Sequence, residues 1–162
     1  MPKKTTDSDS NELLARFVGR WTGTAKTWFK PDAPPDKEAI TSTIKLALGG
    51  PTLTQSYRTR AHGRAVRGQV LIARDISTGR FGLTWVDTAH TGDGMMTFRR
   101  EDAVVKNGFS VYGEFAVGPD GPPWGWRITY QLKGPNSLEI WHYLIKPGGE
   151  VKPGVHILYK RG

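Results

Sequence analysis

The stretch Phe17-Val-Gly-Arg-Trp-Thr-Gly-Thr-Ala25 decides the fold. A short apolar run leads into Gly19-x-Trp21, and small residues follow the indole along the same alternation. In an antiparallel barrel, one wide aromatic at the start of the first strand plugs the closed end, and a glycine beside it lets neighbouring backbone come close. A cavity is expected above such a plug.

From Gly19 onward, turn signals recur about every ten to fifteen residues and separate stretches of period-two alternation, the pattern of an antiparallel sandwich or barrel. Ten strands are predicted, at 19–30, 38–47, 52–60, 64–74, 79–87, 93–99, 108–117, 124–133, 137–146 and 154–161. Short connections such as His62-Gly63 and Asn107-Gly108 make an up-and-down meander, which loses its exposed edges by closing on itself. The expected fold class is therefore all-β, a ten-stranded up-and-down antiparallel β-barrel. Ahead of it, Asn11-Glu-Leu-Leu-Ala-Arg-Phe17 is expected to form a short helical lid over one barrel end, capped by Asn11. Residues 1–10 carry nothing apolar after Met1 and Pro2 and are expected to be a disordered tail, leaving 11–162 as a single domain.

The chain has 162 residues, enough for one core that buries about 70% of the unfolded surface. There is no cysteine, which removes disulfides and thiolate metal sites. Met-Pro-Lys-Lys lacks the apolar run of a secretory signal, and no stretch reaches the ~18 apolar residues of a membrane span. A soluble, cytoplasmic protein with no membrane partner, monomeric or homodimeric, is expected. The 23 Lys and Arg against 15 Asp and Glu give a net charge of +8, which attracts anions. Yet Arg58, Arg60, Arg64 and Arg67 are spread along strands rather than packed into one arm, and no ribonucleoprotein-type aromatic motif is present. A solvated basic face with no specific nucleic-acid partner is expected.

Alternation assigns inward faces. The first strand places Trp21, Gly23, Ala25, Thr27 and Phe29 together; the fifth, Phe81, Leu83, Trp85 and Asp87; the seventh, Phe109, Val111, Gly113 and Phe115; the eighth, Trp124, Trp126, Ile128, Tyr130 and Leu132. In the ninth strand Leu138, Ile140, His142 and Leu144 compete with Trp141, Tyr143 and Ile145, and a one-residue slip turns every side chain over.

Within Trp85-Val-Asp-Thr-Ala-His-Thr-Gly92, Asp87 shares the face of Trp85 at a strand end and His90 follows at the mouth. A carboxylate beside an imidazole can orient it for binding or general-base work; alternatively both residues hydrogen-bond their own turn. Gly121-Pro-Pro-Trp-Gly-Trp-Arg127 sets Trp124 and Trp126 on one face, either as core or as a clamp for an apolar ligand. His62, His90, His142 and His156 have no zinc-binding spacing, so no metal is expected. A single inward histidine, His142 or His156, is still enough for an axial haem ligand. No nucleophile elbow, phosphate-cradling loop or dinucleotide fingerprint is present.

On Gly19-Arg-Trp-Thr-Gly-Thr-Ala-Lys-Thr-Trp-Phe29, Leu48-Gly-Gly50, Trp85–Gly92 and Gly121–Arg127, the chain resembles the calycins, which include lipocalins and fatty-acid-binding proteins. More specifically, it resembles the bacterial family called domain of unknown function 1579, over about residues 11 to 161. The resemblance implies a lipocalin-like barrel and no particular activity. It also implies that Arg161, from the last strand, stacks on Trp21 and that His156 points outward. The nitrobindins share the Gly-x-Trp-x-Gly opening and bind haem through a late-strand histidine, but the Tyr-Pro and further alternating glycines of that group are missing. The expected function is binding of a small, apolar or amphipathic molecule by Trp85, Asp87, His90, Trp124 and Trp126, without a cofactor and without catalytic residues. The alternatives are a haem protein, an isomerase or hydrolase using Asp87 and His90, and a barrel whose interior side chains fill completely.

Overall fold

The computed structural model describes residues 7–92, 94–100 and 105–162. Helix α1 (Asp7–Phe17) leads into β1 (Gly19–Thr27), β2 (Asp36–Ala47), β3 (Thr52–Ala61), β4 (Arg64–Arg74) and β5 (Phe81–Asp87). There follow β6 (Met96–Arg100), β7 (Gly108–Phe115), β8 (Trp124–Gly134), β9 (Ser137–Ile145) and β10 (Val151–Arg161). Each strand pairs antiparallel with its sequence neighbour, and β1 pairs with β10 to close a ten-stranded barrel, Trp21 lying opposite Arg161. Closure leaves no sheet edge exposed.

Two local devices make the closure possible. His62 (φ 49°) and Gly63 (φ 73°) are both left-handed, as a two-residue hairpin loop between β3 and β4 requires. At the β1–β10 seam, a Cβ on Gly23 would lie 1.8 Å from the Leu158 carbonyl oxygen, so only glycine permits this approach.

The base of the barrel is packed solid. Trp21 is fully buried, its indole N–H donating to the Phe17 carbonyl at 2.9 Å. The Arg161 guanidinium stacks on that indole, 4.2 Å from the ring centroid, and donates to the Val18 and Arg16 carbonyls at 2.6 and 2.9 Å. It thereby covers the carbonyls at the C-terminal end of α1, where a cation is favoured. The helix itself inserts Leu14 and Phe17 into the core, with Phe17 edge-on to Phe109 and Tyr130. Above them Phe81, Phe109 and Tyr130 form a stack with centroids 4.6 and 4.9 Å apart.

Several boundaries and one face differ from expectation. The helix begins at Asp7 rather than Asn11, so of the expected tail only residues 1–6 remain, and these lie outside the described residues. The sixth strand begins at Met96; position 93, its expected start, also lies outside them. β1 ends at Thr27 because the chain there leaves the rim for the proline-rich connection, and Phe29 is 42% exposed against the His62 ring rather than inward. The ninth strand turns Leu138, Ile140, His142 and Leu144 inward. Trp141 and Tyr143 stack on each other outside, and Trp141 also stacks on Trp28 and His156. Among the described residues no helix is long and apolar enough to cross a membrane.

Candidate functional site

The half of the barrel away from Trp21 is not filled. A cavity there is lined by apolar side chains including Ala25, Ile40, Val70, Ile128, Ile140 and Ile157, and by the polar Gln55, Tyr57, Asp87, His90, His142 and Tyr159. Its free volume is about 50 Å³, room for a few waters or a slender molecule.

Asp87 organises the mouth. It ends β5 on the inward parity, fully buried, and one oxygen accepts from the Ala89 backbone N–H at 2.9 Å and from that of His90. The other accepts from the Tyr57 hydroxyl at 2.7 Å and from His90 Nδ1 at 2.8 Å. The same carboxylate thus shapes its own turn and orients the imidazole, whereas the His90 side chain bonds Asp87 rather than the turn backbone. Trp85 Nε1 donates to the Tyr57 hydroxyl at 2.8 Å, completing an indole–phenol–carboxylate–imidazole chain. Burial would raise the Asp87 carboxyl, but the hydrogen bonds it accepts from His90, and then from the Tyr57 hydroxyl, hold it well below the carboxylate range. Burial and then the Asp87 charge push the Tyr57 phenol far above its ordinary value. Asp87 is therefore an anion and Tyr57 a neutral donor.

With Nδ1–H given to Asp87, His90 presents Nε2 with its lone pair. That atom is buried and has no hydrogen-bond partner among the described residues. The ring sits 5.4 Å from Trp85 and 6.2 Å from Trp126. Deeper, the Tyr159 hydroxyl, on the β10 residue opposite Gly23 and Leu138, is likewise buried; the Ser42 and Gln55 side chains are its polar neighbours, and neither makes a well-formed hydrogen bond to it. Between these levels Tyr130 donates to Gln55 Oε1 at 2.6 Å and Gln55 Nε2 donates to Ser42 at 3.0 Å, so the neighbouring polar groups are paired.

The expected site residues are not all in one place. Trp85, Asp87 and His90 line the cavity. Trp126 stands behind it, 5.3 Å from Trp85, and donates to His142 Nδ1 at 3.0 Å. Trp124 is at the rim, half-buried, 6.5 Å from Phe115 and under the Lys146 ammonium at 5.9 Å, and it does not line the cavity. The sequence reading missed Tyr57, Gln55 and Tyr159. Their only signal is parity, since Gln55 and Tyr57 alternate with Leu53, and Tyr159 with Val155 and Ile157.

The Trp126 bond also bears on haem. Because His142 Nδ1 accepts, its proton resides on Nε2, the nitrogen that would have to meet iron. Burial further drives His142 from 6.5 down to about 3, so it is neutral. His156 lies on the outer wall, 2.8 Å from Glu139 and stacked on Trp141. Neither histidine, nor a cavity this narrow, fits a haem group. Among the described residues no group of three metal-ligating side chains occurs.

The arrangement is built on a scaffold with known counterparts. The fold is similar to that in the crystal structure of Rv2717c from M. tuberculosis, with a TM-score of 0.63 over 94% of this chain and 97% of that one. At 14% identity this likeness speaks for the fold alone. No curated protein matches the sequence. A family model described as "protein of unknown function (DUF1579)" matches residues 6–161, helix and barrel together, and the chain belongs to that family.

Proposed function

We propose that the protein binds a small, slender molecule, apolar in its middle and able to hydrogen-bond at both ends, in the upper half of the barrel. The observation that carries this reading is the buried, unpartnered Nε2 of His90. A buried polar atom without a partner costs about 1–3 kcal/mol, and here Asp87 holds the ring in the pose that leaves it so. A ligand N–H or O–H beside Nε2 removes that cost, and the Tyr159 hydroxyl serves an acceptor at the far end. The apolar lining between them, with few polar groups, is the usual composition of a small-molecule site.

4-Cyanophenol carries a donor and an acceptor at opposite ends of a flat ring and is the probe of choice. Titrated into the protein and followed by tryptophan fluorescence, it should saturate one site with a Kd at or below about 1 mM. His90→Leu, which keeps the volume but removes Nε2, should weaken it at least about fivefold while the barrel remains folded, as judged by an unchanged far-UV spectrum. Absence of saturation, or equal affinity in the variant, would contradict the reading. The same Nε2, backed by a carboxylate, favours a second reading: removal of a proton from the bound molecule, as in an isomerase. That reading requires turnover that His90→Gln abolishes while probe binding persists.

A further inference from the structure

Arg58 and Arg67, which look scattered along the sequence, share one surface with Arg20. On β1–β5 the outward positions include Arg20, Lys26, Lys37, Lys45, Arg58 and Arg67, whereas the only carboxylates of these strands, Asp36, Glu38 and Asp87, fall on the inward parity. Among the described residues none of those six cations has an ion-pair partner. Two pairs stand directly opposite across strands, Lys26 to Lys37 and Arg58 to Arg67. Like charges in that position destabilise a sheet, and among the described residues no acid pairs with them. The wall formed by β8–β10 is different: Glu139 there meets Lys133 at 3.5 Å and His156 at 2.8 Å.

The register arranges the basic wall into two rungs. One runs Arg20, Thr43, Ser56, Gln69, Val86; the next runs Thr22, Thr41, Arg58, Arg67, with Thr88 accepting from the Arg67 N–H. Together they line a shallow external groove that crosses five strands, about 19 Å at ordinary strand spacing. Guanidinium and hydroxyl donors in rows match phosphate oxygens. The rungs hold no aromatic side chain on which a base could stack. They also lack the apolar anchor that a membrane or a protein interface needs, Val86 being their one large apolar residue.

We propose that this face is a second binding site, which holds the phosphodiester backbone of duplex nucleic acid through Arg20, Arg58 and Arg67 without reading its sequence. Its test is fluorescence anisotropy with a labelled DNA duplex of about 20 base pairs over a range of salt concentrations. Affinity should fall linearly with log salt and be the same for two unrelated sequences. Arg58→Glu with Arg67→Glu should weaken binding at least about tenfold and make the salt slope shallower by about 1.8, about 0.9 for each phosphate no longer neutralised. Arg127→Glu on β8 should change affinity no more than about twofold. Arg58→Glu alone sets opposite charges across the β3–β4 pair, so it should raise the melting temperature while still weakening DNA. This result separates a binding role from a structural one, and Arg58→Gln serves if the double reversal fails to fold. Equal binding by wild type and the Arg58 and Arg67 variants overturns the proposal. So does tighter binding to phosphatidylserine vesicles than to duplex, or displacement of the duplex by polyglutamate at equal charge.

Discussion

The two halves of the barrel interior follow the same alternation and end in opposite states. Around Trp21 the polar side chains are held by backbone: the indole N–H donates to Phe17, and the Arg161 guanidinium to Pro135, Val18 and Arg16. Above the Phe81–Phe109–Tyr130 stack, the inward positions carry Tyr57, Asp87, His90 and His142, and Nε2 of His90 is left without a partner among the described residues. Placing polar residues at inward positions weakens a core unless they are paired. On the proposed reading, the base supplies stability and the mouth supplies recognition.

The largest expected effect falls at the base. Trp21→Ala removes a fully buried indole together with its hydrogen bond and should cost about 3–5 kcal/mol in denaturant unfolding. A loss under about 1 kcal/mol would break the comparison, because the base would then not be what holds the barrel.

The next effect belongs to the mouth and depends on pH. His142 titrates near 6.5 when unfolded and near 3 when folded, so between those values the unfolded chain binds the extra proton. Its stabilising contribution is fully present above about pH 6.5 and is lost as pH falls through that window, by up to about 1.4 kcal/mol per pH unit. Asp87, whose folded value is also depressed, adds to the loss only below about pH 4. His142→Gln should therefore flatten the stability profile between pH 6 and 4, measured by urea unfolding at each pH. An unchanged slope would mean that the ring is not buried neutral.

Smaller still, Arg161→Ala should cost about 1–2 kcal/mol, since a stacked cation contributes about 0.5–2 kcal/mol and its hydrogen bonds run to partly exposed carbonyls. If it cost as much as Trp21→Ala, the two would act as one unit.

Most of the fold was legible because period-two alternation and turn residues are local signals. Strands five, seven and eight show it best, where Leu83 and Trp85, Phe109 and Val111, and Trp126 to Leu132 are buried as alternation requires. The ninth strand was ambiguous because both its faces are apolar; its outer aromatics are accommodated by Trp28, just past the end of β1, and by His156 of β10. The helix began early because Asp7 to Ser10 carry no apolar residue, and polar residues alone give no periodicity to read. Of the cavity, only the Trp85–Asp87–His90 part lies within one turn of chain. Tyr57, Gln55, His142 and Tyr159 reach it from three other strands, and a polar residue on an inward parity looks like any solvent-facing one until the barrel closes. A basic outer face was legible in the sequence, but not the alignment of Arg20, Arg58 and Arg67 in neighbouring rungs, which depends on the strand register.

The central claim, that the mouth half is a ligand site, is tested most directly by the six indole N–H signals in a ¹H–¹⁵N spectrum recorded during titration with 4-cyanophenol. Trp85 lines the cavity and Trp126 is coupled to it through His142, Trp21 seals the base, and Trp28 and Trp141 stack on the outer wall. The account predicts saturable shifts of the Trp85 and Trp126 signals while those of Trp21, Trp28 and Trp141 stay in place. Shifts confined to Trp28 and Trp141, with Trp85 and Trp126 unmoved, would contradict it.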